Sequence, residues 1–235
     1  MIGMMGTMLL AGCAQTEKAP KEEAFDYTVE QFADLQLLRF KVHGFEELPL
    51  EQKKLVYYLS EAALQGRDIL FDQNGKYNLV IRKMLETVYT QYQGDRTDVN
   101  FLALETYLKR VWFSNGIHHH YACDKFVPGF TPEFFAKALA SVSEGKLPIR
   151  EGETLESLCE EVFPVIFDPS VMAKRVNQAD GEDLVLTSAS NYYDGVTQAE
   201  AEAFYGKMKN PNDTMPVMFG MNSRLVKENG KVQEK

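Results

Sequence analysis

The sequence predicts an α+β fold, a mainly helical N-terminal part followed by a mixed, β-containing part, and three observations carry that reading. Apolar residues recur at helical spacing through most of residues 29–163. Beyond Pro169 the apolar runs become short, and the Asn229-Gly230 pair near the end is the turn signal of a β-hairpin. The composition, 45% hydrophobic and 25% charged over 235 residues, suits a globular chain with one large core or two small ones.

In chain order, Phe32, Leu35, Leu38 and Val42 predict an amphipathic helix over 29–42, ended by His43-Gly44. Leu55, Tyr58, Leu59, Ala62 and Ala63 predict a second over 48–71, with Pro49 in its first turn. Leu79, Ile81, Met84, Leu85, Val88 and Tyr92 mark a third over 77–93, closed by Gly94-Asp95. Asp98 caps a fourth that runs through Phe101, Leu104, Tyr107, Leu108 and Val111 to Trp112. Thr131-Pro132-Glu133 opens a fifth, and Thr154 with Glu156 and Ser157 a sixth that ends before Pro164. Residues 173–176 and 183–187 read as short strands. Thr197 and Glu200 form a capping box for a seventh helix over 197–208. The run 215–226 reads as a strand leading to the Asn-Gly turn, with Met215, Met218 and Met221 as core. Only five residues follow Gly230, so the returning strand is expected to be barely started, with an unpaired β edge at Val226.

The first thirteen residues differ from the rest, being rich in Met, Gly and aliphatic residues and ending Leu10-Ala11-Gly12-Cys13. Small residues before a Cys after a short apolar run resemble the lipobox of bacterial lipoproteins, although no Lys or Arg precedes the run. On that reading 1–13 is a signal segment, Cys13 is lipidated and 14–25 is a flexible tether to a body at 26–235. It places the chain on the cell envelope, touching membrane only through a lipid anchor. The competing reading is an apolar N-terminal helix or a disordered tail. A net charge of −9 and the lack of a basic patch exclude a nucleic-acid partner. Cys123 and Cys159 could pair in an exported protein or stay as buried free thiols.

Functional groups are densest in 112–128, which holds the only Trp (Trp112), Cys123, Tyr121, an Asn-Gly turn and three of the four His. Asn115 and Gly116 tolerate positive φ and present His118, His119 and His120 on a loop between helices. These five residues are the candidate substrate-cleft set. The competing reading has Trp112, Phe113 and Tyr121 pack the loop while the His run is solvated. Three consecutive His lack the spacing of a zinc site, whose ligands must converge on one ion. Cys123 near His120 has no evident orienting partner for nucleophilic catalysis. Glu160-Glu161 reads as a solvated helix face, and Tyr192-Tyr193-Asp194-Gly195 as an aromatic-packed turn or a substrate contact. No Gly-rich phosphate loop is present.

Four stretches together resemble one family. They are Phe32-Ala33-Asp34-Leu35-Gln36-Leu37-Leu38-Arg39, the run from Leu55-Val56-Tyr57-Tyr58 to Gln65-Gly66-Arg67-Asp68, the Asn115-Gly116 loop ending Asp124-Lys125-Phe126-Val127-Pro128, and Asn222-Ser223-Arg224-Leu225. Their order and spacing resemble the N-terminal region of bacterial dipeptidyl peptidase III over nearly all of residues 25–235. The resemblance implies one lobe of a two-lobed zinc metallopeptidase, a hydrolase that releases dipeptides from peptide N-termini through a metal-activated water. The family's zinc helix, His-Glu-x-x-Gly-His, does not occur here, since no His follows His120. The chain is therefore expected to be an N-terminal fragment, to bind no zinc by itself, to lack catalytic residues and to need a C-terminal lobe for activity on its peptide substrate. The alternative is an envelope lipoprotein acting as a non-catalytic peptide- or ligand-binding module.

Overall fold

The computed structural model describes residues 25–215 and 218–235. Cys13 and most of the expected tether, as well as Pro216 and Val217 of the expected terminal strand, lie outside the described residues. Two compact units are present, one up to Glu47 and one spanning Leu48–Lys235. The α+β expectation holds, with helices concentrated early and the sheet of the larger unit late.

The first unit corrects the helix expected over 29–42. Strands β1 (Thr28–Phe32) and β2 (Leu35–Leu38) form an antiparallel hairpin in which Phe32 faces Leu35 across Ala33-Asp34. Ala33 takes a left-handed φ of 49°, which turns the chain within two residues. Glu30, Phe32, Leu35 and Leu37 are the half-buried positions, and the register puts them on one face. That period of two on each side of a turn imitates a helical 3-4 spacing when read through Phe32, Leu35 and Leu38.

The larger unit opens with α1 (Leu50–Gln65), which Pro49 precedes at the N-cap position rather than in the first turn, and α2 (Arg67–Asn74). Gly66 divides what the sequence predicts as one helix, as a residue with little helix propensity does. No residue of α1 is buried: Leu55, Tyr58 and Leu59, expected to pack, are exposed. The core lies further on. Helix α3 (Asn78–Gln91) contributes Ile81, Met84, Leu85 and Val88, and α4 (Val99–Ser114) contributes Leu104, Tyr107, Leu108 and Val111. Asp98 caps α4 by accepting the N–H of Asn100 at 2.8 Å. Helix α5 (Pro132–Ala140) starts from the Thr131 cap and adds Phe135, Ala138 and Leu139. Helix α6 (Leu155–Phe167) begins with a reciprocal cap between Thr154 and Ser157 and adds Leu158, Val162, Val165 and Ile166.

Helix α6 runs through Pro164 rather than ending before it. Proline removes one i→i−4 bond, but the last turn is held by buried Val165 and Ile166 and by Phe163 and Phe167 against Phe135. The short strands expected at 173–176 and 183–187 are not formed. Lys174 makes isolated bridges to Asp124 and Ser188, and 183–187 is a tight turn around Asp183, whose carboxylate accepts the N–H groups of Val185 and Leu186. Such local side-chain bonding competes with strand pairing.

A second core gathers Val196, Ala201 and Leu225. Helix α7 (Gln198–Gly206) carries the expected Thr197/Glu200 capping box. Strand β3 (Tyr193–Asp194) runs parallel to β4 (Leu225–Glu228), which pairs antiparallel with β5 (Lys231–Glu234) around Asn229-Gly230. The returning strand is as long as its partner, and Arg224 and Lys235 exchange backbone bonds of 2.9 Å beyond it. Val226 is thus paired on both sides rather than at an open edge. Met215, Met218 and Met221 are exposed instead of core; among the described residues of that run the buried ones are Leu225 and Val226, where strand pairing begins. Among the described residues no helix is long and apolar enough to cross a membrane.

Candidate functional site

The His loop is built on the end of α4. Asn115 takes the left-handed cap conformation (φ 52°, ψ 44°), and the Gly116 N–H reaches back to the Val111 carbonyl at 3.0 Å. The side chain of Asn78, almost fully buried, bridges the turn to α2: its Nδ2 donates to the Phe71 carbonyl at 3.1 Å, and its Oδ1 accepts the Ile117 N–H at 3.2 Å. Asn74 Nδ2 donates to the Asn115 carbonyl at 3.0 Å. Asn115 and Gly116 are therefore held against the α2–α3 junction, with Gly116 buried.

The loop then folds back on itself, the Phe126 N–H donating to Ile117 (2.9 Å) and the His119 N–H to Asp124 (2.7 Å). Arg175 ties it down from outside. Its backbone N–H donates to the Cys123 carbonyl at 2.9 Å, and its guanidinium to the His120 carbonyl at 3.0 Å and Asn74 Oδ1 at 3.2 Å. Lys125 anchors the return arm: its ammonium donates to the carbonyls of Val165 (2.9 Å), Val171 (2.6 Å) and Asp168, at the C-terminal end of α6. Burial lowers its pKa and the nearby Asp168 carboxylate opposes that. Three donors on one ammonium suit three converging carbonyls, and the positive charge suits the negative end of the helix dipole.

The three imidazoles have separate surroundings. His118, 2% exposed, places Nε2 2.7 Å from the Met172 carbonyl. A carbonyl only accepts, so Nε2 carries the proton and the buried Nδ1 has no hydrogen-bond partner among the described residues. Burial lowers the His118 pKa to about 4, the Met172 bond opposing and the charges of Lys125 and Arg175 adding to the fall, so the ring is neutral at pH 7. His119 Nδ1 accepts the N–H groups of Tyr121 (3.2 Å) and Ala122 (3.1 Å). The His119 ring stacks on His120 with centroids 4.5 Å apart, and His120 meets Phe113 edge-on. His119 Nδ1 is occupied by two backbone N–H groups, and the buried His118 ring is held apart on Met172 rather than joined to the stacked His119 and His120 rings. These residues do not fit zinc. Among the described residues no group of three or more His, Cys, Asp or Glu is placed to hold a metal. Of the candidate set, Asn115, His119 and His120 are partly exposed, whereas Gly116 and His118 are buried. Trp112 donates to Glu86 at 2.8 Å and Tyr121 is 85% exposed, so neither seals the loop as a packing residue would. Cys123 and Cys159 are free, half-buried thiols rather than a pair, and burial raises the Cys159 pKa.

A better-formed recess lies elsewhere, a cleft of about 540 Å³ lined by Asp68, Asp72 and Gln73 of α2 and by Asn191, Asn222 and Arg224. The buried Asn191 is its hub. Its backbone N–H donates to the Gln73 carbonyl at 2.9 Å, its Nδ2 to Asp72 Oδ1 at 3.3 Å, and its Oδ1 accepts from Arg224 Nη2 at 2.5 Å. Gln73 Nε2 closes the edge on the Met221 carbonyl at 3.2 Å. The hydrogen bond from Arg82 holds the Asp68 carboxyl below its usual range. One wall is thus acidic and the other basic, over apolar Ile69, Leu79 and Tyr192. Sequence reasoning missed Asp72 and Asn191, which stand in no motif; Arg224 and Asp68 belong to stretches already singled out.

Fold and cleft define an α+β chain with a polar recess between a helix and the start of a small mixed sheet. No protein-family model matches the chain, and a search of curated proteins finds no match.

Proposed function

We propose that this chain is the N-terminal lobe of a zinc-dependent dipeptidyl peptidase of the dipeptidyl peptidase III type, providing one wall of its peptide cleft. The observation that carries the reading is that two of the four resembling stretches, far apart in sequence, meet in one recess: Asp68 ends the second, and Asn222 and Arg224 belong to the fourth. A recess of about 540 Å³ falls within the roughly 300–1,000 Å³ usual for ligand sites. Its opposed carboxylates and guanidinium match the amino and carbonyl groups of a peptide. In this reading the zinc belongs to a separate C-terminal lobe carrying the His-Glu-x-x-Gly-His helix, and Cys13 anchors the protein to the cell envelope.

The test combines the chain with a separately expressed zinc-bearing lobe and follows bound zinc and dipeptidyl-naphthylamide hydrolysis. Activity only in the mixture, lowered about tenfold in kcat/KM (about 1.4 kcal/mol) by Asp72→Asn, supports the reading. Stoichiometric zinc or hydrolysis by the chain alone overturns it. Saturable peptide capture by the chain alone, with no gain from the added lobe, favours the binding-module alternative. Unchanged detergent partitioning of Cys13→Ser removes the anchor.

A further inference from the structure

Arg224 also lines a second, smaller cavity of about 180 Å³, together with Lys76, Ser188, Ser190, Tyr193 and Asp194. Its guanidinium is under-used. Nη2 donates to Asn191 and lies 4.0 Å from Asp194, while Nε is buried with no hydrogen-bond partner among the described residues. A buried donor on a charged group that lacks an acceptor is costly and calls for water or an anion. Lys76 is exposed and forms no ion pair among the described residues; its ammonium lies 5.5 Å from the centre of the Tyr77 ring. The charged lining groups, Lys76, Arg224 and Asp194, leave one net positive charge around the cavity. A volume of about 180 Å³ has room for a small molecule.

We infer that this cavity binds a small carboxylate, held between the ammonium of Lys76 and the guanidinium of Arg224. A single net positive charge matches a monoanion, and a guanidinium offers a planar pair of N–H donors that fits the two carboxylate oxygens. Ser190 and Tyr193, residues whose hydroxyls are neutral donors, line the same space. The two recesses share Asn191 and Arg224, whereas Lys76 lines only this one, so the effect of Lys76→Gln separates the inference from the peptidase reading. Two sources offer this chemistry, a free small acid and the C-terminal carboxylate of a short peptide.

Isothermal titration of the full chain in an amine buffer, with acetate, alanyl-alanine and alanyl-alanine amide as probes, tests it. Saturable acetate binding, weakened at least tenfold by Lys76→Gln and lost in Arg224→Gln, is the expected result. Binding of alanyl-alanine but not of its amide assigns the peptide source, and binding of acetate alone assigns the free acid. Lys76 makes no hydrogen bond among the described residues, so Lys76→Gln keeps the test decisive should Arg224→Gln disturb the Asn191 contact and the fold. The inference is overturned if the wild type shows no saturable binding of acetate or alanyl-alanine, or if Lys76→Gln binds them as the wild type does.

Discussion

Gly116 lies so close to Asn78 that a Cβ at position 116 would stand 2.4 Å from Asn78 Nδ2, and its φ of 148° suits glycine. The contact joins the entry of the His loop to the α2–α3 junction. Gly116→Ala is expected to cost about 2 kcal/mol or more, through the clash and the backbone strain together. Asn78→Ala leaves the Phe71 carbonyl and the Ile117 N–H without partners and is expected to cost a similar amount, about 1–3 kcal/mol per buried group. Urea unfolding of both variants measures this, and a change below about 0.5 kcal/mol in either contradicts the account.

Lys125 should matter for stability rather than chemistry. Removing its three charge-assisted bonds in Lys125→Met strands carbonyls at the end of α6, for an expected loss of about 1–3 kcal/mol. Lys125→Arg is expected to recover only part of it, because a planar fork cannot address three carbonyls grouped around one point. Full recovery by Arg in chemical denaturation would show that charge alone is what α6 requires.

His118 makes the fold sensitive to acid. Its folded pKa, about 4, lies below the ordinary 6.5, so between those values the unfolded chain binds a proton that the folded one does not. Stability from this group is complete above pH 6.5 and falls away as the pH drops toward 4. The total is on the order of 3 kcal/mol. His118→Gln keeps a donor for the Met172 carbonyl and removes the titration, so its stability should decline less steeply across that window. Parallel profiles for the two proteins would assign the acid sensitivity to other groups.

Helix α1 and helix α3 should respond oppositely to substitution. Leu85, fully buried on α3, is expected to lose about 2–5 kcal/mol as Leu85→Ala. Leu55 and Leu59 are exposed on α1, so Leu55→Gln and Leu59→Gln should stay within about 0.5 kcal/mol of wild type. Thermal unfolding of the three variants tests the contrast, and a large loss at Leu55 or Leu59 would place α1 in a core.

Local chemistry made much of this fold legible. Asp98, Thr131, Thr154 and Thr197 are caps whose hydrogen bonds reach only two or three residues, so each helix start could be read from its own neighbourhood. The core residues of α3 and α4 follow a spacing that only one helical face satisfies. The candidate site was less legible. The His loop was conspicuous by composition, but what each ring does depends on Met172, Arg175 and Lys125, and the first two lie about 50 residues further on in no pattern that points to the loop.

The sequence by itself determined the class of fold, the capped starts of α4 to α7, the α3–α4 core and the Asn229-Gly230 turn, because these rest on periodicity and on turn chemistry confined to a few neighbouring residues. Tertiary structure alone decided the rest. It turned 28–38 into a hairpin, left α1 uncovered, carried α6 through Pro164, buried His118 and brought Asp72, Asn191 and Arg224 to one cleft. For Pro164 and His118 the deciding partner lies in a distant segment, and burial against such a partner outweighs a local preference of about 1 kcal/mol or less per residue.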